Sequence, residues 1–297
     1  MTDDDMDDKT GDDLPATGRE TEDGGFTPFP DSGTDRAQQK AKPQTPQTLS
    51  PTYRLAYDDE DFLASEPLRG VRLQLELLKT DMALREAGIL STVVLFGGAR
   101  IPEPGKPAWA ARNEAQAERL VANSRYYEEA RRFAALASQH SANSSGGKEF
   151  VIVTGGGPGV MEAGNRGAAD VGGVSIALNI TLPHEQAPNP YVTPELCFNF
   201  HYFAMRKMHF LMRAKAMVAF PGGFGTLDEL FEALTLMQTG RMARMPVVLF
   251  GEAFWRRVVD FEFLAQEGTI APDDLQLFRF ADTAEEGWAI IRGFYGF

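Results

Sequence analysis

The 297-residue chain predicts an α/β fold, a doubly wound parallel sheet covered by helices on both faces. Three observations carry this reading. Short runs such as Thr92-Val93-Val94-Leu95-Phe96 and Val247-Val248-Leu249-Phe250 are almost wholly apolar, without the polar alternation of a half-exposed strand, as expected where both faces are buried. Helical patterns alternate with these runs. Three of the runs pass directly into glycine turns, at Gly97-Gly98, at Gly155-Gly156-Gly157-Pro158-Gly159 and at Gly222-Gly223-Phe224-Gly225.

Along the chain, apolar residues at helical spacing from Val71 to Leu84, with Gly88 behind them as a C-cap, predict a helix ahead of strand 92–96. A Pro-rich loop, helical patterns from Trp109 to Leu120 and from Tyr126 to His140, and a polar connector over 141–148 come next. Strand 149–154 enters the second glycine turn and a helix over 159–171. Strand 174–178, a loop rich in Pro and a strand-like run from Leu196 to Phe203 lead to a helix over 204–214. Strand 216–220, the third turn, helix 226–239, strand 247–250 and helix 252–265 complete a Rossmann-like order. In such sheets ligands bind at the carboxyl ends of the strands, near a topological switch point, and the three glycine turns collect on that edge.

The first fifty residues differ in kind. They hold twelve acids against five bases, a net of −7 within the chain's −13, with many Pro, Thr, Gln and Gly and little apolar periodicity. This predicts a disordered acidic tail over 1–50 and a single domain over 51–297. The remaining −6 disfavours a phosphate-backbone groove, so no nucleic-acid partner is expected. No run approaches eighteen apolar residues, and the N-terminus lacks a basic segment followed by an apolar one, so the protein reads as cytoplasmic with no membrane partner. Cys197, the only cysteine, reads as a strand thiol rather than a nucleophile. His140, His184, His201 and His209 are too scattered for a metal site, and none is expected. His184-Glu185-Gln186 sits in a polar loop, read either as a plain loop or as a contact to a bound base.

The third turn carries the most chemistry. Between the apolar run Met217-Val218-Ala219-Phe220 and a helical pattern lies Pro221-Gly222-Gly223-Phe224-Gly225-Thr226-Leu227-Asp228-Glu229. Glycines let backbone approach a ligand, and the unpaired first N–H groups of the helix suit a phosphate, with Glu229 about one turn further on. The second turn repeats the device ahead of Glu162. Neither is a standard fingerprint: Val160 breaks G-x-G-x-x-G, and no turn ends in Gly-Lys-Ser/Thr. Tight strand-to-helix turns alone would also use such glycines.

The pattern Pro-Gly-Gly-x-Gly-Thr-x-x-Glu at 221–229, preceded by Arg206-Lys207, resembles the LOG (Lonely Guy) family of cytokinin riboside 5′-monophosphate phosphoribohydrolases, many of whose members once carried a lysine decarboxylase label. The resemblance runs from about Arg69 to about Phe250, includes Phe96-Gly97-Gly98-Ala99-Arg100, and is nearest to the longer bacterial members. It implies hydrolysis of the N-glycosidic bond of a nucleoside 5′-monophosphate, a cytokinin nucleotide or AMP, to free base and ribose 5-phosphate, without a cofactor. A noncatalytic nucleotide-binding or sensing role is the alternative.

By the same resemblance Glu229 stabilises charge at the anomeric carbon and activates water, and Arg206 binds phosphate or ribose and orients Glu229. The implied substrate contacts are Gly97, Gly98, Gly155, Gly156, Gly157, Gly159, Glu162, Lys207, Gly222, Gly223, Gly225 and Thr226. Glu162 is implied at the ribose hydroxyls, although its spacing to Arg166 equally suits an i,i+4 pair. Gly98 stands where many relatives place a serine, leaving backbone N–H groups as substitutes. Lys207 and Lys215 lie near the candidate site, but nothing beside them resembles a pyridoxal motif with a Schiff-base lysine. Met205, Met208 and Met212 recur at helical spacing as core or as a subunit contact, and a homodimer or larger homo-oligomer is expected.

Overall fold

The structure, a computed structural model, describes residues 19–21, 24–183 and 187–297. The chain falls into two compact units, Met1–Arg72 and Leu73–Phe297.

In the first unit no described residue is buried. Residues 32–41, inside the segment read as an acidic tail, form the helix Ser32–Ala41, whose N-cap Asp31 accepts from Thr34 N. This unit extends past residue 50, to Arg72. Residues beyond 50 are tied back to this helix by local polar bonds: Gln39 Nε2 to Tyr53 O at 3.1 Å, Tyr57 OH to Ser32 O at 2.8 Å, and an Arg36–Asp58 ion pair. Capping and hydrogen bonding, rather than an apolar stripe, shape this unit, and apolar periodicity does not report them.

The second unit is built on seven parallel strands: β1 (Thr92–Phe96), β2 (Val151–Thr154), β3 (Ser175–Ile180), β4 (Cys197–Phe200), β5 (Ala214–Ala219), β6 (Val247–Phe250) and β7 (Arg279–Ala281). Their spatial order is β4-β3-β2-β1-β5-β6-β7. The sequence winds outward from β1 to one edge and then returns to β1's other side, so β1 and β5 flank the switch point.

Helices α1 (Arg69–Glu86), α2 (Glu114–Ala122), α3 (Arg125–Ser145), α4 (Val160–Asp170), α5 (Phe203–Met212), α6 (Phe224–Gln238), α7 (Glu252–Val258), α8 (Phe261–Gln266) and α9 (Ala284–Tyr295) connect the strands. Alternate strand residues feed two separate cores. Val94 and Phe96 of β1 pack with Phe210 of α5, Leu230 of α6 and Trp255 of α7. Val93 and Leu95 pack on the other face with Phe133 of α3, Ala163 of α4 and Trp288 of α9. Every residue of β1, β2, β3 and β6 is buried, the polar Thr92, Thr154, Ser175 and Asn179 included, which is why these strands lack the polar alternation of a half-exposed sheet.

Gly88 ends α1 as expected. Its φ is +70°, its N–H donates to Arg85 O, and Ile89 N donates to Leu84 O, a Schellman pair. Several boundaries shift. The helix expected over 252–265 is broken into α7 and α8 because Asp260 caps a new helix by accepting from Phe263 N. The helix expected from Trp109 starts at Glu114, where Asn113 supplies the N-cap. Strand β7 and helix α9 were not foreseen.

Candidate functional site

The carboxyl ends of β2, β1 and β5 lie side by side, so the three glycine turns meet over the switch point. They are interlocked by backbone bonds: Phe220 N donates to Phe96 O at 2.9 Å, Gly98 N to Pro221 O at 2.9 Å, and Val160 N to Gly98 O at 3.3 Å. Gly159 has a φ of +69°, and a Cβ there would lie 2.5 Å from Gly98 O, so only glycine permits this crossing. A cavity of about 730 Å³ opens above the junction. Its wall is formed by residues 96–101 after β1, residues 221–229 from the third turn into α6, Met161 and Arg206, with Leu120, Phe203 and Phe254 as apolar sides.

Helix α6 starts at Phe224 with Gly223 as N-cap, so Gly223, Gly225 and Thr226 present its first turn to the cavity. N–H groups at this end have no partner within the helix. Thr226 is buried against Gly222, which has no room for a side chain. One turn on, Glu229 is 5% exposed, and its Oε2 has no hydrogen-bond partner among the described residues. Burial pushes its pKa up to about 7. The nearby Lys207 and Arg206 charges pull it down, while Glu232 and Asp228 add to the rise.

Arg206 and Lys207, adjacent on α5, part company. Arg206 lines the cavity, donates from Nε to Leu178 O at 2.7 Å, and places Cζ 5.2 Å from the Phe210 ring centroid. Lys207 lies outside the wall, bound to Asp228 at 3.0 Å and Glu232 at 2.9 Å. Burial opposes its charge, but the Glu232 and Asp228 carboxylates outweigh that and raise its pKa. It pins α5 to α6 beside Glu229.

Other expected contact residues take different places. Glu162 is not part of the wall: its Oε1 accepts from Tyr127 OH at 2.8 Å. Nor do Glu162 and Arg166 form the i,i+4 pair, because Arg166 Nη1 reaches Glu103 Oε1 at 2.9 Å and stacks over Tyr191. Gly155, Gly156, Gly157 and Gly159 also stand behind the wall rather than in it. The Gly98 N–H is already given to Pro221, so this donor does not replace a serine hydroxyl. Lys215 is the second residue of β5 and pairs with Glu149 at 2.6 Å, at the amino ends of the strands and away from the cavity. His184-Glu185-Gln186 falls outside the described residues.

Cys197 opens β4, with its thiol pKa raised by burial and partly offset by a hydrogen bond from Asn179. Among the described residues no group of three or more His, Cys, Asp or Glu is placed to hold a metal, and no helix is long and apolar enough to cross a membrane. Sequence reasoning missed the apolar sides Leu120, Phe203 and Phe254, and it missed Asn165 and Asn189, which hold the second turn. The sequence marks Asn189 only by the prolines on either side of it.

A family model described as "Possible lysine decarboxylase" matches residues 161–291. A cytokinin riboside 5′-monophosphate phosphoribohydrolase, LOG, of Oryza sativa subsp. japonica is 37% identical over 83 residues, 27% of this chain and 34% of that protein. LOG3 of Arabidopsis thaliana, with the same activity in its name, is 32% identical over 82 residues, 27% of this chain and 38% of that protein. Over this stretch the chain is similar to the LOG proteins. The resemblance read from residues 206–229 is thus borne out, with the matched stretch spanning less than two-fifths of the length of these LOG proteins. Among solved structures, a molybdenum cofactor binding protein from Rippkaea orientalis is similar at a TM-score of 0.47 and 16% identity, over 69% of this chain and 97% of that one.

Proposed function

We propose that this protein hydrolyses the N-glycosidic bond of a purine nucleoside 5′-monophosphate, of the cytokinin or AMP type, to free base and ribose 5-phosphate. The observation that carries the proposal is Glu229: a buried carboxylate titrating near neutrality, in the cavity wall, one turn beyond a helix N-terminus. The 5′-phosphate sits at the first turn of α6, where Gly223, Gly225 and Thr226 offer backbone N–H groups and the helix dipole favours an anion. Arg206 supplies the fixed positive charge at the same wall.

As the C1′–N bond breaks, its electron pair leaves with the base and positive charge builds on the ribose ring. Ionised Glu229 stabilises that charge and accepts the proton of the attacking water, whose oxygen bonds to C1′. A pKa near 7 suits a group that must be ionised at the start and take up a proton. The apolar sides Leu120, Phe203 and Phe254 suit a planar base with an apolar substituent. The test is chromatographic detection of free base from AMP and from an N6-isopentenyl AMP. Release from either supports the reaction; tight binding without release from both moves the protein to the noncatalytic class.

A further inference from the structure

Of the glycine turn after β2 and the helix it opens, only Met161 of α4 lines the cavity. Arg206 stands in front of the turn. A Cβ built on Gly155 would lie 2.6 Å from Arg206 Nη2 and 2.9 Å from Met161 Sδ, so the guanidinium packs against this glycine at a distance no other residue permits. The bond from Arg206 Nε to Leu178 O fixes the same side chain at the end of the adjacent strand β3.

The turn is held from behind by a buried amide network. Gly156 O accepts from Asn189 N at 2.9 Å and from Asn189 Nδ2 at 3.1 Å, and Gly156 N donates to Thr154 Oγ1 at 2.9 Å. Thr154 Oγ1 and Asn189 Nδ2 in turn both donate to Asn165 Oδ1, at 2.7 and 2.9 Å. Thr154 and Asn165 are wholly buried, and a satisfied buried network of this kind fixes one backbone geometry.

We infer that the turn after β2 is a seat for Arg206, and that Gly155 is a positioning residue that acts on the ligand through the arginine. This rests on the role of Arg206 proposed above. It departs from a phosphate cradle in one respect: the glycines serve a side chain and not the substrate.

Gly155→Ala in the full chain tests it. The backbone there is not in the left-handed region, and the atoms a methyl would meet are the ends of flexible side chains, so the fold tolerates the change. The guanidinium does not. The expected result is a melting temperature close to wild type, kcat/KM for AMP lowered by about tenfold or more, and a shifted Arg206 Nε–H resonance. In an Arg206→Ala background the same substitution should cost nothing further, read on single-turnover base release or on calorimetric affinity for ribose 5-phosphate. A full loss that persists without the arginine would overturn the inference, since the turn would then touch the ligand itself. An unmoved Nε–H resonance would overturn it as well. That resonance decides the matter even if the wild type releases no base, an outcome that would instead sink the proposed reaction.

Discussion

Replacing Glu229 by glutamine probes the buried carboxylate without reference to any substrate. The folded protein holds this group at a pKa of about 7, against an ordinary value of 4.5. At about 1.4 kcal/mol per pKa step, that displacement costs the folded state about 3 kcal/mol once the carboxylate ionises. A raised folded pKa means that the folded state holds the proton more tightly than the unfolded chain. The Glu229 contribution to stability is therefore full below pH 4.5 and lost as the pH rises to about 7. Glutamine does not titrate. The stability of Glu229→Gln relative to wild type should accordingly rise by about 3 kcal/mol between about pH 4.5 and pH 8, and stay level above that. Urea denaturation of both proteins at stepped pH measures the difference. A difference independent of pH would refute the reasoning, because the carboxylate would then titrate as an exposed one does. In the same variant, single-turnover base release should fall by about a hundredfold or more while calorimetric AMP affinity changes little, since the charge it stabilises exists only in the transition state.

Arg206→Ala should weaken both AMP affinity and base release, because anchoring of the ligand is felt before and during the reaction; normal calorimetric affinity would contradict this. Gly159→Ala should destabilise the protein by about 2 kcal/mol or more in denaturant titration, as it combines a left-handed φ with a Cβ against the Gly98 carbonyl. Phe203, Met208 and Met212 on α5 leave 52%, 45% and 42% of their surfaces exposed, and sedimentation at micromolar concentration should show at least a dimer. A monomer of full activity would exclude that interface.

Where residues speak through local pattern, the sequence was readable. Strands 92–96 and 247–250 match β1 and β6 to the residue, because burial on both faces makes each a nearly continuous apolar run. The glycine turns and Glu229 were legible for the same kind of reason, a strand, a turn and a helix in direct succession. What failed was long-range. Glu162 and Arg166 meet through the Tyr127 hydroxyl, which donates to the first and accepts from the second, and Arg166 also pairs with Glu103; neither Tyr127 nor Glu103 is near them in sequence. Asn165 and Asn189 are ordinary polar residues until the fold buries them around Gly156. The end of the chain is a different kind of miss: Thr283 and Glu286 form a capping box ahead of Ala284, Trp288 and Ile291, a signal present in the sequence that went unused.

Strand β1 takes its two neighbours from distant parts of the chain: Thr92 registers with Val151 on one side and with Ala214 on the other. During synthesis the segment through β4 can assemble half of the sheet while the second edge of β1 stays bare. An uncovered strand edge invites pairing with other chains, so β1 is open to such pairing until residues 214–219 emerge. Gly98 receives its Pro221 partner only when β5 docks, and Glu229 follows still later in the chain. On the proposed reading, the phosphate site at the first turn of α6 is completed only after β5 has paired with β1.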